Sequence, residues 1–248
     1  MKIRFSKSAL PAALLAGIVL LAGAAAPLSA QNASVRVVHG IPGADVSPGL
    51  DPALPVDVLV NDAICLLDGF TFGSIAGPFT LPEGTYDIKI SVANTLAPCT
   101  NAAVIAAPVP VAAGENVSIV AHLDEAGGLT ASKFANDVTP MGDGMARIIA
   151  HHLAAAPAVD VGLRGGFPPM TLTVPNVTNG AQAAAPIRAG GLSISIAPAG
   201  AKKGIFSTIL RTRPGLSYTV YAVGSLANGT FALLSEPIGG IEGITVIR

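Results

Sequence analysis

The stretch YDIKISV, from Tyr86 to Val92, decides the fold class of this chain. Tyr86, Ile88 and Ile90 share one face and polar residues occupy the other, which is the pattern of a half-buried strand. The stretch LSISI, from Leu192 to Ile196, repeats the alternation. No window after residue 30 sustains the spacing of an amphipathic helix over three turns. The sequence therefore predicts an all-β protein.

The strand pattern belongs to a unit that occurs twice. The first copy opens with SVRVVH (Ser34–His39), and the second opens with ARIIAH (Ala146–His151). Each copy continues through a Val-Asp-Val triplet to its alternating strand. Glycine- and proline-containing turns divide each copy into about seven or eight strands, the number expected for an antiparallel sandwich. We therefore predict two tandem antiparallel β-sandwich domains.

One further strand carries an expectation about sidedness. Asn116 to Leu123 also alternates. Its core-facing residues are predicted to be Val117, Ile119, Ala121 and Leu123. Ser118, Val120 and His122 are predicted to face outward.

The first thirty residues resemble an export signal. Lys2, Arg4 and Lys7 precede a nearly unbroken apolar run, and Ala30 is a small residue at a plausible cleavage point. The alternative is a membrane anchor, because the run is almost long enough to cross a bilayer. We predict a cleaved signal peptide over residues 1–30.

The remaining domain boundaries follow from the turn-rich stretch between the two copies, Asn136–Gly144. It is polar and lacks periodicity, as expected of a linker. The prediction is a first domain over residues 31–137, a linker over 138–144 and a second domain over 145–248.

Composition restricts the partners and the compartment. Removing the signal leaves 11 basic and 15 acidic residues, a net charge of −4, so nucleic acid is not an expected partner. No later segment has eighteen uninterrupted apolar residues, so no transmembrane segment is expected after cleavage, and the protein is predicted to be periplasmic or extracellular. Yet 51% of the residues are hydrophobic and only 12% are charged. This excess predicts a large interface between the domains, self-association or an adhesive surface.

The two cysteines, Cys65 and Cys99, both lie in the first copy. In an oxidising compartment an even pair of this kind predicts a disulfide. Two buried free thiols and a redox pair are the alternatives, although the spacing is unlike Cys-x-x-Cys.

The four histidines are His39, His122, His151 and His152. Adjacent strand residues point to opposite faces, so His151 and His152 are not expected to ligate one metal. We expect one of them to bond a backbone group at a strand end and its neighbour to be solvated.

Asp57 and Asp160 each lie between two inward valines, so their carboxylates are expected to face outward and bond loop ends rather than act as general acids or bases. Arg36 and Arg147 are expected on a strand face with surface carboxylate partners.

The pattern R-V-V-H, then V-D-V, F-G-S and L-P-x-G-T-Y resembles the domain-of-unknown-function family DUF4397. The first copy carries it at Arg36–His39, Val56–Val58, Phe72–Ser74 and Leu81–Tyr86, and the second copy carries part of it. The resemblance implies exported immunoglobulin-like β domains, often in tandem, and no activity. The predicted motif residues, with structural roles, are Arg36, His39, Asp57, Arg147, His151 and Asp160. Arg147 and His151 are one residue further apart than Arg36 and His39, so either a bulge lies between them or Ala150 is the counterpart of His39.

No nucleophile elbow, phosphate loop, dinucleotide fingerprint or zinc spacing occurs. We therefore predict a non-catalytic binding or structural module of the cell envelope or extracellular space, with no cofactor and no metal. An envelope protein or a glycan is the expected partner, at the loop Gly40–Pro55 and the stretch Gly165–Pro169. The alternative is a metal-binding protein or hydrolytic enzyme that uses loop histidines and aspartates.

Overall fold

The computed structural model describes residues 31–166, 168–238 and 245–247, the last three by their backbone. The predicted signal peptide lies outside the described residues. The first half contains one short helix and eight strands: β1 (Ala33–His39), α1 (Gly43–Val46), β2 (Val56–Val60), β3 (Ile64–Phe70), β4 (Ile75–Leu81), β5 (Gly84–Val92), β6 (Ile105–Val111), β7 (Asn116–Leu123) and β8 (Leu129–Ala135).

The described part of the second half contains nine strands: β9 (Met145–His152), β10 (Val159–Gly165), β11 (Met170–Val177), β12 (Ala181–Arg188), β13 (Gly190–Pro198), β14 (Phe206–Thr212), β15 (Ser217–Val223), β16 (Ala232–Ile238) and β17 (Thr245–Ile247). The predicted all-β class is confirmed. The alternating stretches at Tyr86–Val92, Asn116–Leu123 and Leu192–Ile196 all lie in strands.

Each half is a sandwich of two sheets, and the two halves share one topology. In the first half the sheets have the orders β4-β1-β7-β8 and β3-β2-β5-β6. In the second half the orders are β12-β9-β15-β16-β17 and β11-β10-β13-β14. Strand by strand, these orders are the same apart from β17. The parallel pairing of β1 with β7 recurs as β9 with β15, whereas the other pairs are antiparallel.

The molecule has four layers, because the sheet that contains β1 packs against the sheet that contains β9. We call these two the inner sheets. Their facing side chains form a buried apolar cluster that includes Val38, Val120, Phe134, Tyr221 and Leu234. A buried apolar interface between the halves, one of the three alternatives that composition predicted, is therefore present.

This packing corrects the expectation that Ser118, Val120 and His122 face outward. All three point away from the core of their own sandwich, but each is at most 2% exposed. The second half covers that face. Strands β7 and β15 are buried on both faces almost throughout.

Candidate functional site

Asp57 binds the end of β3 and the β5–β6 connection at one end of the first sandwich. It lies on β2, where the pairing with β3 shifts register between Val56 and Val58. Its Oδ1 accepts the Gly69 N–H at 3.0 Å, and its Oδ2 accepts the N–H groups of Asn94 at 3.1 Å and Cys99 at 2.8 Å. Burial alone raises the pKa of Asp57, but these three donors outweigh it and lower the pKa below the ordinary value.

Asp160 repeats this arrangement in the second sandwich. It lies at the register shift between Val159 and Val161, and its carboxylate accepts the N–H groups of Asn176 at 2.8 Å and Gly200 at 2.9 Å. Both bonds lower its pKa. In each sandwich the aspartate therefore accepts backbone N–H groups from a strand and from a connecting loop, so its oxygens are occupied by the fold.

The cysteines reinforce the first of these two sites. Cys65 on β3 and Cys99 in the β5–β6 connection form the predicted disulfide, with Cα atoms 5.7 Å apart. Cys99 also donates its N–H to Asp57, so the covalent and the hydrogen-bonded attachments of this connection meet at one residue.

His39 and His152 are structural counterparts. The Nε2 of His39 lies 2.8 Å from the Leu54 carbonyl oxygen, and the Nε2 of His152 lies 3.0 Å from that of Pro157. Both residues are buried. Burial lowers the pKa of His39 to about 4, although the bond to Leu54 opposes the shift.

The strand register shows why the sequence motif misaligned the two copies. His39 pairs with Ala121 on β7, and His152 pairs with Ala222 on β15. The pairing of β9 is regular from Arg147 to His152, so this strand contains no bulge there. The counterpart of His39 is His152, and not Ala150 or His151. Counting back three residues, the position of Arg36 is occupied in the second half by Ile149. Arg147 matches Ser34.

His151 is buried between the two inner sheets, not solvated as expected for the neighbour of a bonded histidine. Its ring stacks on Tyr221 with centroids 4.7 Å apart and meets Phe134 edge-on at the same distance. Neither ring nitrogen has a hydrogen-bond partner among the described residues. Burial lowers the pKa of His151 to about 3, so the ring is neutral at ordinary pH.

Arg36 is not a surface residue. It is 2% exposed and forms an ion pair with Glu236 of the second half, with Nε and Oε1 3.2 Å apart. A second polar contact crosses the same interface, because the Tyr221 hydroxyl donates to the Ser118 Oγ at 2.7 Å. Burial and the Glu236 carboxylate raise the pKa of Tyr221, which keeps the phenol protonated.

Arg147 binds the segment that connects the halves. Its guanidinium donates to the carbonyl oxygens of Asp137 and Thr139, both at 3.0 Å, and pairs with the Asp137 carboxylate at 3.1 Å. The predicted linker is therefore attached to β9 at its N-terminal end.

The remaining histidine also lies inside the fold. His122 bonds the Leu123 carbonyl oxygen through Nδ1 and the Ser132 hydroxyl through Nε2, each at 2.9 Å. Over the part of the chain that the structure describes, no three His, Cys, Asp or Glu side chains are grouped to hold a metal ion.

A cleft of about 620 Å³ opens between the halves. The predicted contact loop Gly40–Pro55 forms one wall with Thr71 and Phe72, and residues 229–232 form the other. The loop also joins the two halves, since the Asp45 carboxylate accepts hydrogen bonds from Asn228 and from the Thr230 hydroxyl. The second predicted stretch, Gly165–Pro169, lies at the β10–β11 turn, and its Phe167 is outside the described residues.

Sequence reasoning missed Glu236, Tyr221 and the cleft. One signal for the interface was available: β7 and β15 contain no charged residue on either face, as is typical of strands covered on both sides. Nothing in the sequence paired Arg36 with Glu236, which lie 200 positions apart.

No helix among the described residues is long and apolar enough to cross a membrane. Two solved structures are similar to the chain. The Bacillus anthracis TIE protein is 9% identical with a TM-score of 0.24, over 79% of this chain and 33% of that one. A "putative cell adhesion protein" from Bacteroides ovatus ATCC 8483 is 10% identical with a TM-score of 0.23, over 87% and 96%. Scores this low carry no argument about fold or function.

This chain spans about a third of the TIE protein chain. No curated protein matches the sequence significantly. The domain of unknown function DUF4397 matches residues 33–162, which cover all of the first sandwich, β9 and the start of β10. The match extends over more than half of the 248 residues. The chain therefore belongs to the DUF4397 family.

Proposed function

We propose that this protein is an exported, non-catalytic binding or structural module of the bacterial cell envelope or extracellular space. The observation that supports this best is how its most reactive side chains are used. Asp57, Asp160, His39 and His152 each bond backbone groups of their own sandwich. Carboxylates and imidazoles occupied in this way hold loops in place instead of facing a substrate.

The disulfide supports the compartment. Bonds of this kind persist in oxidising environments and are rare where glutathione keeps thiols reduced. Cys65 and Cys99 are also placed to attach a loop to an edge strand, as a stabilising crosslink does.

The cleft between the halves is the surface on which this proposal places a partner. Clefts between domains are a common location for ligand sites. Its walls combine the rings of Phe72 and Phe231 with the polar groups of Asp51, Thr71 and Thr230. Such a mixture suits an envelope protein or a glycan. The hydrogen bonds from Asn228 and Thr230 to Asp45 fix the position of the two walls relative to each other.

The experiment is co-sedimentation of the purified protein with envelope fragments from its own cells. Ala44→Arg places a long charged side chain in the cleft, and Ala102→Arg adds the same charge at an exposed alanine that does not line it. We expect the native protein and A102R to sediment with the fragments and A44R to remain in the supernatant. Protease or glycosidase treatment of the fragments then identifies the class of partner.

If all three proteins sediment with the fragments to the same extent, the cleft is not the binding surface. The non-catalytic assignment is tested separately by elemental analysis of protein purified from its native source. A stoichiometric transition metal whose binding is lost on changing His39 or Asp57 would contradict that assignment.

A further inference from the structure

The core of the first sandwich is hollow at a site where the second sandwich is filled. A cavity of about 100 Å³ lies between the two sheets of the first half, among residues that include Val35, Val60, Ile88 and Ile119. Eight of its lining residues have counterparts, by strand register, around a cavity of only about 20 Å³ in the second half. The shared topology therefore does not impose the larger space.

Side-chain size alone does not explain the difference. Val35 corresponds to Ile148 and Val60 to Leu163, so the first sandwich has one methylene group fewer at each of these positions, whereas Val37 and Ile119 are larger than their counterparts Ala150 and Val220. Protein interiors are normally close-packed, and an unfilled cavity destabilises the fold in proportion to its volume. A cavity present in one copy and nearly absent from the other is consistent with an occupant.

The cavity reaches the surface at the β2–β3 turn. Ile64, which lines it, is 59% exposed although it is a large apolar residue. On the opposite edge of the same sandwich, a recess of about 240 Å³ between β6 and β8 shares Ile88, Ile90 and Ile119 with the cavity. These three side chains are the only residues that line both spaces, so they form the wall between the cavity and the recess.

The chemistry of the lining selects the occupant. No charged side chain lines the cavity, and its two polar lining residues, Asn61 and Tyr86, each already form a hydrogen bond. The Asn61 Oδ1 accepts the Asp87 N–H at 2.9 Å, and the Tyr86 hydroxyl donates to the Pro82 carbonyl oxygen at 2.8 Å. The other lining residues are apolar, so a polar ligand would lose most of its hydration there without replacement. A dry apolar cavity of ~150 Å³ accepts benzene, so this one is suited to a narrower group.

We infer that the first sandwich binds an unbranched alkyl chain, which enters past Ile64 and lies against Ile88 and Ile119. The source is either a free aliphatic molecule or the acyl chain of a lipid, because the cavity contacts only methylene groups in both cases. This site shares no lining residue with the cleft between the halves and does not depend on the proposed function.

The test is a titration of the full mature protein, followed through the methyl signals of its isoleucines by NMR. One arm uses 1-octanol, and the other uses a short-chain phosphatidylcholine below its micellar concentration. We expect the signals of Ile88, Ile90 and Ile119 to shift while those of Ile194 and Ile196 in the second sandwich remain unchanged. A response to octanol alone assigns a free aliphatic ligand, and a response to both assigns a lipid chain.

The matched variants exchange the two copies. Val35→Ile with Val60→Leu fills the cavity with the side chains of the second half, and its two added methylenes should weaken octanol binding about tenfold. Ile148→Val changes only the second sandwich and should leave binding unchanged. If the double variant does not fold, Val60→Leu alone serves. Octanol that shifts no methyl signal of the first core, or shifts both cores equally, would overturn the inference.

Discussion

His151 makes the stability of this protein depend on pH in a way that can be calculated. Its ring is 1% exposed, lies between Phe134 and Tyr221, and has a pKa lowered to about 3 by burial. In the unfolded chain the pKa of a histidine is about 6.5. Between these values the unfolded chain binds the additional proton, so the free energy of unfolding falls as the pH decreases.

The magnitude follows from the two pKa values. At pH 7 the unfolded imidazole is mostly neutral, and at pH 5 it is almost fully protonated while the folded one is not. The linkage relation then gives a loss of about 2 kcal/mol from this residue between pH 7 and pH 5. The carboxylates with lowered pKa values titrate below this window: Asp57, Glu115, Asp137 and Asp160. His39 and His122 contribute in the same direction and are present in every protein compared.

The assay is urea unfolding at pH 7 and pH 5, followed by circular dichroism. His151→Phe keeps an aromatic ring against Tyr221 and removes the proton site, so its loss of stability should be about 2 kcal/mol smaller than that of the native protein. Phe134→Leu disturbs the same contact without a titrating group, and should lower the free energy of unfolding equally at both pH values. The reasoning is refuted if H151F and the native protein lose the same free energy between pH 7 and pH 5.

Three further predictions concern the other structural residues. Asp57→Ala leaves three backbone N–H groups without their acceptor, so it should lower the free energy of unfolding by about 2–4 kcal/mol in denaturant titrations. Asp160→Ala should cost less, because the Asp160 carboxylate accepts only two such groups. Equal losses in the two variants would contradict this account. Reducing the disulfide, which spans 34 residues, should cost about 3–4 kcal/mol, and an unchanged melting temperature would contradict it. Arg36→Met should destabilise by about 3–5 kcal/mol, because it leaves Glu236 buried without the arginine, whereas R36M combined with Glu236→Leu should recover most of that loss. If both variants unfold at the same urea concentration, the ion pair does not couple the halves.

Local patterns in the sequence predicted most of the secondary structure. Strands such as β5 bury one face against a partner sheet, so their alternation of apolar and polar residues is visible without tertiary information. The disulfide was predictable for a related reason, since two cysteines in an oxidising compartment have few alternatives. The signal peptide over residues 1–30 and the domain boundaries remain predictions.

The identity of equivalent residues in the two copies could not be read from letters alone. R-V-V-H and A-R-I-I-A-H align naturally by their arginines, but strand pairing places His152 and not His151 at the position of His39. Side-chain direction has a period of two along a strand, so an alignment error of one residue exchanges the two faces. The hydrogen bonds from His39 to Leu54 and from His152 to Pro157 become comparable only after the register is known.

By itself, therefore, the sequence determined the strands, the duplication and the covalent crosslink, each of which depends on residues close in the chain or on composition. Only the tertiary structure decided which polar residues are buried. Ser118, His151 and Arg36 lie on strand faces that would be solvated in an isolated sandwich, and they are buried because the second half packs against them. Burial of a face depends on what covers it. The covering residues here, Tyr221 and Glu236, belong to a different half of the chain.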